Sequence, residues 1–269
     1  MDFANLLFQA YSNLGLETKI AKTPIFYMEP IIKLSKEQEC KLLEGDGQNN
    51  ENQYKQINSS TGLAVNYYKV LEDTGKIEDL WFEEKVGTPL KVGNKSANLD
   101  VAYRRDGKLF YVESKFLEPY RSGNEQNTES YFKKDNYHVP DKDKDAWYAL
   151  LVDAQNYKIF NFSQICRHLM AIWRKHNEDV HLSIVFQCVM WKMSEKFICT
   201  IKGEEKQEIL RARVKIIDEE SESCQQRVNG FLKQIGWNSI TFECVYYNDI
   251  LEDISSSKYY SEFKKRYFL

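Results

Sequence analysis

Asp100, Glu113 and Lys115 are the residues of this chain whose types and spacing best suit chemistry. They lie in the run Asn98-Leu99-Asp100-Val101-Ala102-Tyr103-Arg104-Arg105-Asp106-Gly107-Lys108-Leu109-Phe110-Tyr111-Val112-Glu113-Ser114-Lys115. It reads as a β-hairpin turning on Asp106-Gly107, a dipeptide that supplies the positive φ angles of a two-residue type I′ turn. With Arg105 opposite Lys108, Asp100 falls opposite Glu113, and Lys115 shares their face because strand side chains alternate. Val101, Tyr103, Phe110, Val112 and Phe116 fall on the other face, which reads as the core side and leaves the charged groups on a polar side. Two carboxylates on adjacent strands suit a hard divalent cation such as Mg²⁺ or Mn²⁺. Such a cation polarises a phosphoryl oxygen and lowers the pKa of a bound water, while Lys115 orients the water or neutralises charge in the transition state. The chemistry expected is phosphodiester hydrolysis; the bland reading of the same face is a cross-strand ion pair worth ~0.2–1 kcal/mol.

These groups need a core to hold them. Ser59-Ser60-Thr61 caps a helix running to about Asp73, with Leu63, Ala64, Tyr67, Val70 and Leu71 at helical spacing and Thr74-Gly75 ending it. Residues 77–86 alternate as a strand; Glu83, Glu84 and Lys85 read there as a solvated edge, with one carboxylate able to face the hairpin. Residues 162–173 read as a helix, and 180–191 as a central strand buried on both faces. The order over 60–190 is therefore helix, strand, strand, strand, helix, strand, an α/β core with helices on a mixed central sheet. Residues 119–145 form a polar insertion. Its neighbourhood carries Tyr120, Arg121, Tyr131, Lys133, Lys134, Trp147 and Tyr148, which suit either a nucleic-acid backbone or a cover over the sheet.

The expected division is an N-terminal extension packed on the core at 1–58, the core at 59–191 and a C-terminal α+β extension at 192–269. The first extension is read as a helix over Asp2–Leu14, an extended stretch holding Pro24 and Pro30, and a turn-rich loop at 45–52. The second is read as a short strand at Phe197–Ile201, a charged helix over 204–234, an aromatic strand at Ile240–Tyr247 and a helix rich in Lys and Tyr.

Composition narrows the class. A net charge of −3 excludes a generally basic nucleic-acid coat, so any such contact must come from local patches or bound cations. The six cysteines form no CxxC pair and sit mostly in apolar runs, which predicts reduced, buried thiols rather than a zinc site or disulfides. The N-terminus lacks the pattern of a secretory signal and no apolar run approaches the ~20 residues of a membrane helix. A soluble, cytoplasmic protein with no membrane partner is expected.

Asp100, twelve residues, then Glu113-Ser114-Lys115 resembles the signature of the PD-(D/E)XK nuclease superfamily, the restriction-endonuclease-like fold, with Leu99 where the motif's name has Pro. The order of elements over 60–190 matches that superfamily's core. Ser59-Ser60-Thr61-Gly62-Leu63-Ala64-Val65-Asn66 and Glu113-Ser114-Lys115-Phe116-Leu117-Glu118-Pro119-Tyr120 further resemble a small bacterial restriction-endonuclease-like family within it. The resemblance implies a Mg²⁺-dependent endonuclease acting on DNA, in restriction or phage defence. It makes Asp100 and Glu113 metal ligands, the Ser114 backbone carbonyl a further ligand, and Lys115 the catalytic lysine. Members often carry an acidic residue on the first core helix, where this chain offers Asn66 and, further along, Glu72. Some carry a Gln and a Tyr four apart on the helix after the third strand, where this chain has Gln164, expected to face the site, and His168, for which a plain surface hydrogen bond is the better expectation. Blunt double-strand cutting by such a one-site chain implies a homodimer. The alternatives are an inactive nucleic-acid-binding or assembly module on the same fold, and an RNA endonuclease.

Overall fold

Both residues of the expected turn adopt left-handed backbone, Asp106 at φ 51° and Gly107 at φ 72°, and the hairpin they close lies inside a larger sheet. The computed structural model describes residues 19–20, 26–44, 53–56, 58–93, 95–121, 123–179 and 181–268. In chain order the elements are β1 (Lys19–Ile20), β2 (Phe26–Tyr27), α1 (Lys36–Glu44), α2 (Ser60–Asp73), β3 (Glu78–Gly87), β4 (Ala97–Arg105), β5 (Lys108–Lys115), α3 (Glu118–Arg121), α4 (Lys144–Ala154), α5 (Phe162–His176), β6 (Ile184–Met190), α6 (Glu195–Cys199), α7 (Glu204–Gln234), β7 (Ile240–Tyr246) and α8 (Tyr260–Tyr267). The main sheet runs β3-β4-β5-β6-β7. Its first three strands are antiparallel, while β5, β6 and β7 are parallel neighbours. This is the mixed α/β sheet flanked by helices of a restriction-endonuclease-like fold.

Local chemistry accounts for the boundaries. Ser59 accepts the Gly62 N–H at 3.1 Å to start α2, and Asn161 accepts the Gln164 N–H at 3.1 Å to start α5, each quenching a donor that the first helical turn leaves unpaired. β6 is buried at every position, as a central parallel strand must be.

Several expectations need correction. Lys36–Glu44 is helical rather than extended: Ser35 and Gln38 exchange side-chain caps across its first turn. Phe197–Ile201 is no strand; Ser194 accepts the Phe197 N–H at 3.1 Å and winds Glu195–Cys199 into a helical turn. The insertion contains short 3₁₀ turns and leads into α4, which the sequence reading passed over. β7, from the segment expected as a C-terminal extension, is the fifth strand of the same sheet. Cys166, Cys188 and Cys224 are buried, but Cys40 and Cys199 are exposed. The helix expected over Asp2–Leu14 and the loop at 45–52 lie outside the described residues.

Helices cover both faces. Against one pack α2 and α8: Tyr68 of α2 meets Tyr103 at 5.4 Å between ring centroids, and Tyr67 meets Phe263 at 5.6 Å. Against the other pack α5 and α7: His176 of α5 meets Tyr111 at 5.8 Å, and α7 sends Asn229 to the backbone of Phe242 on β7. The hairpin face read as polar is therefore an interior face as well, with Ala102, Tyr111 and Glu113 buried beneath α5.

Asn66 belongs to the α2 layer, on the far side of the sheet from Glu113. Its Oδ1 accepts the Ile31 N–H at 2.7 Å, and its Nδ2 donates to Gly62 O and Tyr267 Oη, both at 2.8 Å. The amide thus ties the N-terminal segment, α2 and α8 together and is fully committed there rather than at the Asp100–Glu113 face. Asn66→Leu strips the Ile31 N–H of its acceptor and takes the amide donor from Gly62 O and Tyr267 Oη. It should cost about 2–3 kcal/mol and lower the melting temperature by roughly 4–12 °C, measured by thermal unfolding, with the Asp100 face undisturbed.

Candidate active site

A transverse row of side chains crosses the sheet at its centre. Phe82↔Val101 and Glu84↔Leu99 bracket Glu83 and Asp100 as neighbours. The β4–β5 pairing runs as far as Val101↔Val112, with Asp100 and Glu113 the next residues beyond it, and Glu113↔Cys188 carries the row onto β6. Three carboxylates on three adjacent strands thus face α5. Side chains directly opposite in a sheet stand close enough to interact strongly.

Glu113 is the buried centre, only 3% exposed. Lys115 Nζ donates to its Oε1 at 2.5 Å and Gln164 Nε2 donates to the same oxygen at 2.7 Å. His168 Nδ1 lies 3.2 Å from Oε2 without a hydrogen bond to it. A buried carboxylate must be paired or lose its charge, and these groups surround Glu113 with donors. Gln164 and His168 occur four apart on α5 and so share one helical face; both reach the site, including the histidine for which a plain surface role was the better expectation.

Asp100 is held differently. The β4–β5 ladder stops at Val101↔Val112, and the next inward N–H on β5, that of Ser114, donates at 2.6 Å to Asp100 Oδ2. The carboxylate therefore takes the place of a strand partner where the two strands part. The Ser114 hydroxyl turns to the other face and meets Tyr247 Oη at 2.8 Å, so its side chain belongs to the core.

Charge follows from this crowding. Burial, then Glu113 and Glu83, push the Asp100 carboxyl well above the ordinary carboxylate range, against the opposing pull of Lys115 and the Ser114 N–H. Burial alone would lower the Lys115 ammonium, but Glu113, Glu118 and Asp100 outweigh it and hold the group above its usual range, so Lys115 is a cation at neutral pH. Burial lowers His168 more than Glu113 raises it, which leaves the ring neutral at pH 7.

The row opens on a polar groove of about 410 Å³, lined by Glu83, Asp100, Glu113, Gln164, Arg167 and His168, with Thr61 from the first turn of α2 and Lys95 at its margin. Glu83 thus lines the groove instead of standing on a solvated edge. Its backbone is left-handed, at φ 52°, a conformation that costs a non-glycine residue about 1 kcal/mol or more and is found where a side chain must be aimed. Glu84, by contrast, pairs outward with Lys175 at 2.8 Å. Arg167 reaches Glu125 at 3.0 Å and Asn127 at 3.3 Å. The sequence reading missed it, although helical spacing from Gln164 could have found it. Of the aromatic residues near the insertion, Tyr120 and Trp147 are core, while Tyr131 lines the groove.

The donor set suits a hard divalent cation, since Asp100 and Glu113 can supply carboxylate oxygens from adjacent strands. Among the described residues no three His, Cys, Asp or Glu groups are placed to hold a metal ion together.

The family described as restriction endonuclease associating with ARP matches residues 21–268, and the chain belongs to that family. No curated protein and no solved structure matches the chain. Among the described residues no helix is long and apolar enough to cross a membrane.

Because the folded state holds the Asp100 proton more tightly than the unfolded chain does, it binds more protons between the ordinary carboxylate pKa and the raised one. Stability must fall as pH rises through that window. Asp100→Asn removes the penalty. In metal-free buffer at pH 7 it should raise the melting temperature by a few degrees and flatten the fall with pH; a variant that melts lower than the parent at pH 7 would contradict this origin of the crowding.

Proposed function

We propose that this member of a restriction-endonuclease family is a metal-dependent endonuclease of the PD-(D/E)XK type that hydrolyses phosphodiester bonds in DNA. The observation that carries the reading is the convergence of Lys115 and Gln164 on Glu113 beside Asp100, at the point where β4 and β5 part. Mg²⁺, or Mn²⁺ in its place, would be held by Asp100, Glu113 and the Ser114 backbone carbonyl. When bound it would polarise the phosphoryl group and favour hydroxide over water.

The chain's own residues do the rest. The Ser114 N–H fixes one oxygen of Asp100 and so sets the direction of the other. Lys115, held protonated by its carboxylate neighbours, donates to a phosphate oxygen or to the attacking water and offsets charge as it grows on the phosphoryl oxygens. Gln164 holds the Glu113 carboxylate and supplies a second donor at the same edge; it is a positioning residue. Neutral His168 seals the cluster from the helix side. Arg167 and Lys95 give the groove margin the positive charge that a phosphate backbone requires. The family's description, restriction endonuclease associating with ARP, supports a role in restriction, and with it phage defence, in company with an ARP partner. Paired cutting of both strands by a chain with one such site calls for a homodimer.

Purified protein incubated with plasmid DNA and Mg²⁺ or Mn²⁺ should cut it, and EDTA should stop the reaction. Lys115→Ala should slow cleavage by about 10²–10³-fold, Asp100→Ala should abolish it, and Gln164→Leu should slow it by about tenfold or more. Undiminished cutting by Asp100→Ala would sink the mechanism. Binding of DNA without metal-dependent cleavage across many sequences would favour the inactive module, and selective cutting of RNA the third reading.

A further inference from the structure

Behind Lys115 and Gln164 lies a second cavity, of about 190 Å³ and more enclosed than the polar groove. The two spaces share Gln164, and Lys115 lines the inner one while reaching Glu113 in the outer. Phe160, Ile165 and Met190 give the inner space apolar walls, and Glu118 and Glu125 place carboxylates on it. Protein interiors are close-packed, so a space of this size with apolar walls beside the reacting groups calls for an occupant.

Its walls are built rather than loose. Glu220 of α7 accepts the three successive N–H groups of Lys158, Ile159 and Phe160 at 2.8, 2.9 and 2.8 Å. The Asn124 N–H donates to Lys158 O at 3.0 Å, and its side chain bonds Ala154 O at 2.6 Å and the Ser163 N–H at 3.3 Å. Gly123 is needed for this approach, since a Cβ there would stand 2.6 Å from Lys158 O. The segments at 123–125 and 158–161 are thus stitched into a fixed frame around the cavity.

We propose that this cavity receives one nucleobase of the strand being cut, the base adjoining the scissile phosphate, drawn out of its stack. The inference rests on the nuclease reading and names its substrate more closely: a strand with a base that can leave the duplex. A phosphate at the Asp100–Glu113 row would put the neighbouring base within reach of the wall formed by Lys115 and Gln164. An aromatic ring and aliphatic walls take the base's faces, as in other pockets that hold an extruded base. The Glu118 and Glu125 carboxylates, which already hold the Phe116 N–H and Arg167, accept further hydrogen bonds from exocyclic amino groups, which adenine, cytosine and guanine carry and thymine lacks.

The test uses the full chain with DNA duplexes in which 2-aminopurine, dim when stacked and bright when free, is scanned through the positions around the mapped cut. In EDTA, binding should brighten the probe several-fold at the position adjoining the cut and not elsewhere. Thymine at that position should slow cleavage in Mg²⁺ by about tenfold relative to the other bases. Ile165→Phe, which fills the cavity, should suppress the brightening while DNA remains bound; the scan on the unaltered protein stands even where that variant fails to fold. Cleavage with no bright position in the bound complex, or with thymine cut as fast as the rest, overturns the pocket and leaves the nuclease reading intact. Failure to cut any nucleic acid overturns both.

Discussion

The Glu113 carboxylate is the constraint on which this structure turns. A carboxylate taken out of water is costly unless it is paired and hydrogen-bonded, and this one is almost wholly enclosed between the sheet and α5. Lys115 two residues along the same strand, Gln164 on the first turn of α5 and His168 one turn further on are arranged around it. Lys115 and Gln164 bond the carboxylate directly while neutral His168 packs beside it, so strand β5 and the start of α5 are tied to one side chain. Asp100, a strand away, is buried beside Glu113 and Glu83, and its proton affinity rises accordingly.

The sheet supplies the geometry for this at little further cost. Antiparallel pairing from β3 to β5 places Glu83, Asp100 and Glu113 side by side, and the parallel pairing of β5 with β6 forces a long crossover through α4 and α5. That crossover brings Gln164 and His168 down onto the carboxylate. Capping by Asn161 fixes where α5 begins and therefore which of its residues face the row. Glu220 of α7 in turn anchors the backbone just before that cap. The site is thus set by strands, braced by a helix and steadied by a second helix behind it.

Much of this was legible in the sequence because the relevant spacing is local. An Asp-Gly turn fixes register, register fixes which carboxylates meet, and period-2 alternation assigns Lys115 to their face. Ser59 and the apolar spacing of α2 announced that helix. What escaped depends on contacts distant in sequence or on unusual backbone. Alternation alone could not show that α5 covers the charged face of the hairpin, because the cover comes from some fifty residues away. Glu83 looked like an edge residue, since nothing in the residue types signals a left-handed glutamate in a strand. Asn66 sat at the right place along α2, but α2 lies on the other side of the sheet. At 197–201 aromatic and aliphatic residues suggested a strand, and the Ser194 cap decided for a helix.

The measurement that bears most directly on the central claim is a crystal structure grown with Mn²⁺, with the ion located by its anomalous scattering. The account predicts a peak within coordination distance of Asp100 and Glu113, with Lys115 moved off the shared Glu113 oxygen towards the groove. Crystals saturated with Mn²⁺ that show no peak there, with Lys115 still bonded to Glu113 as in the free protein, would contradict it.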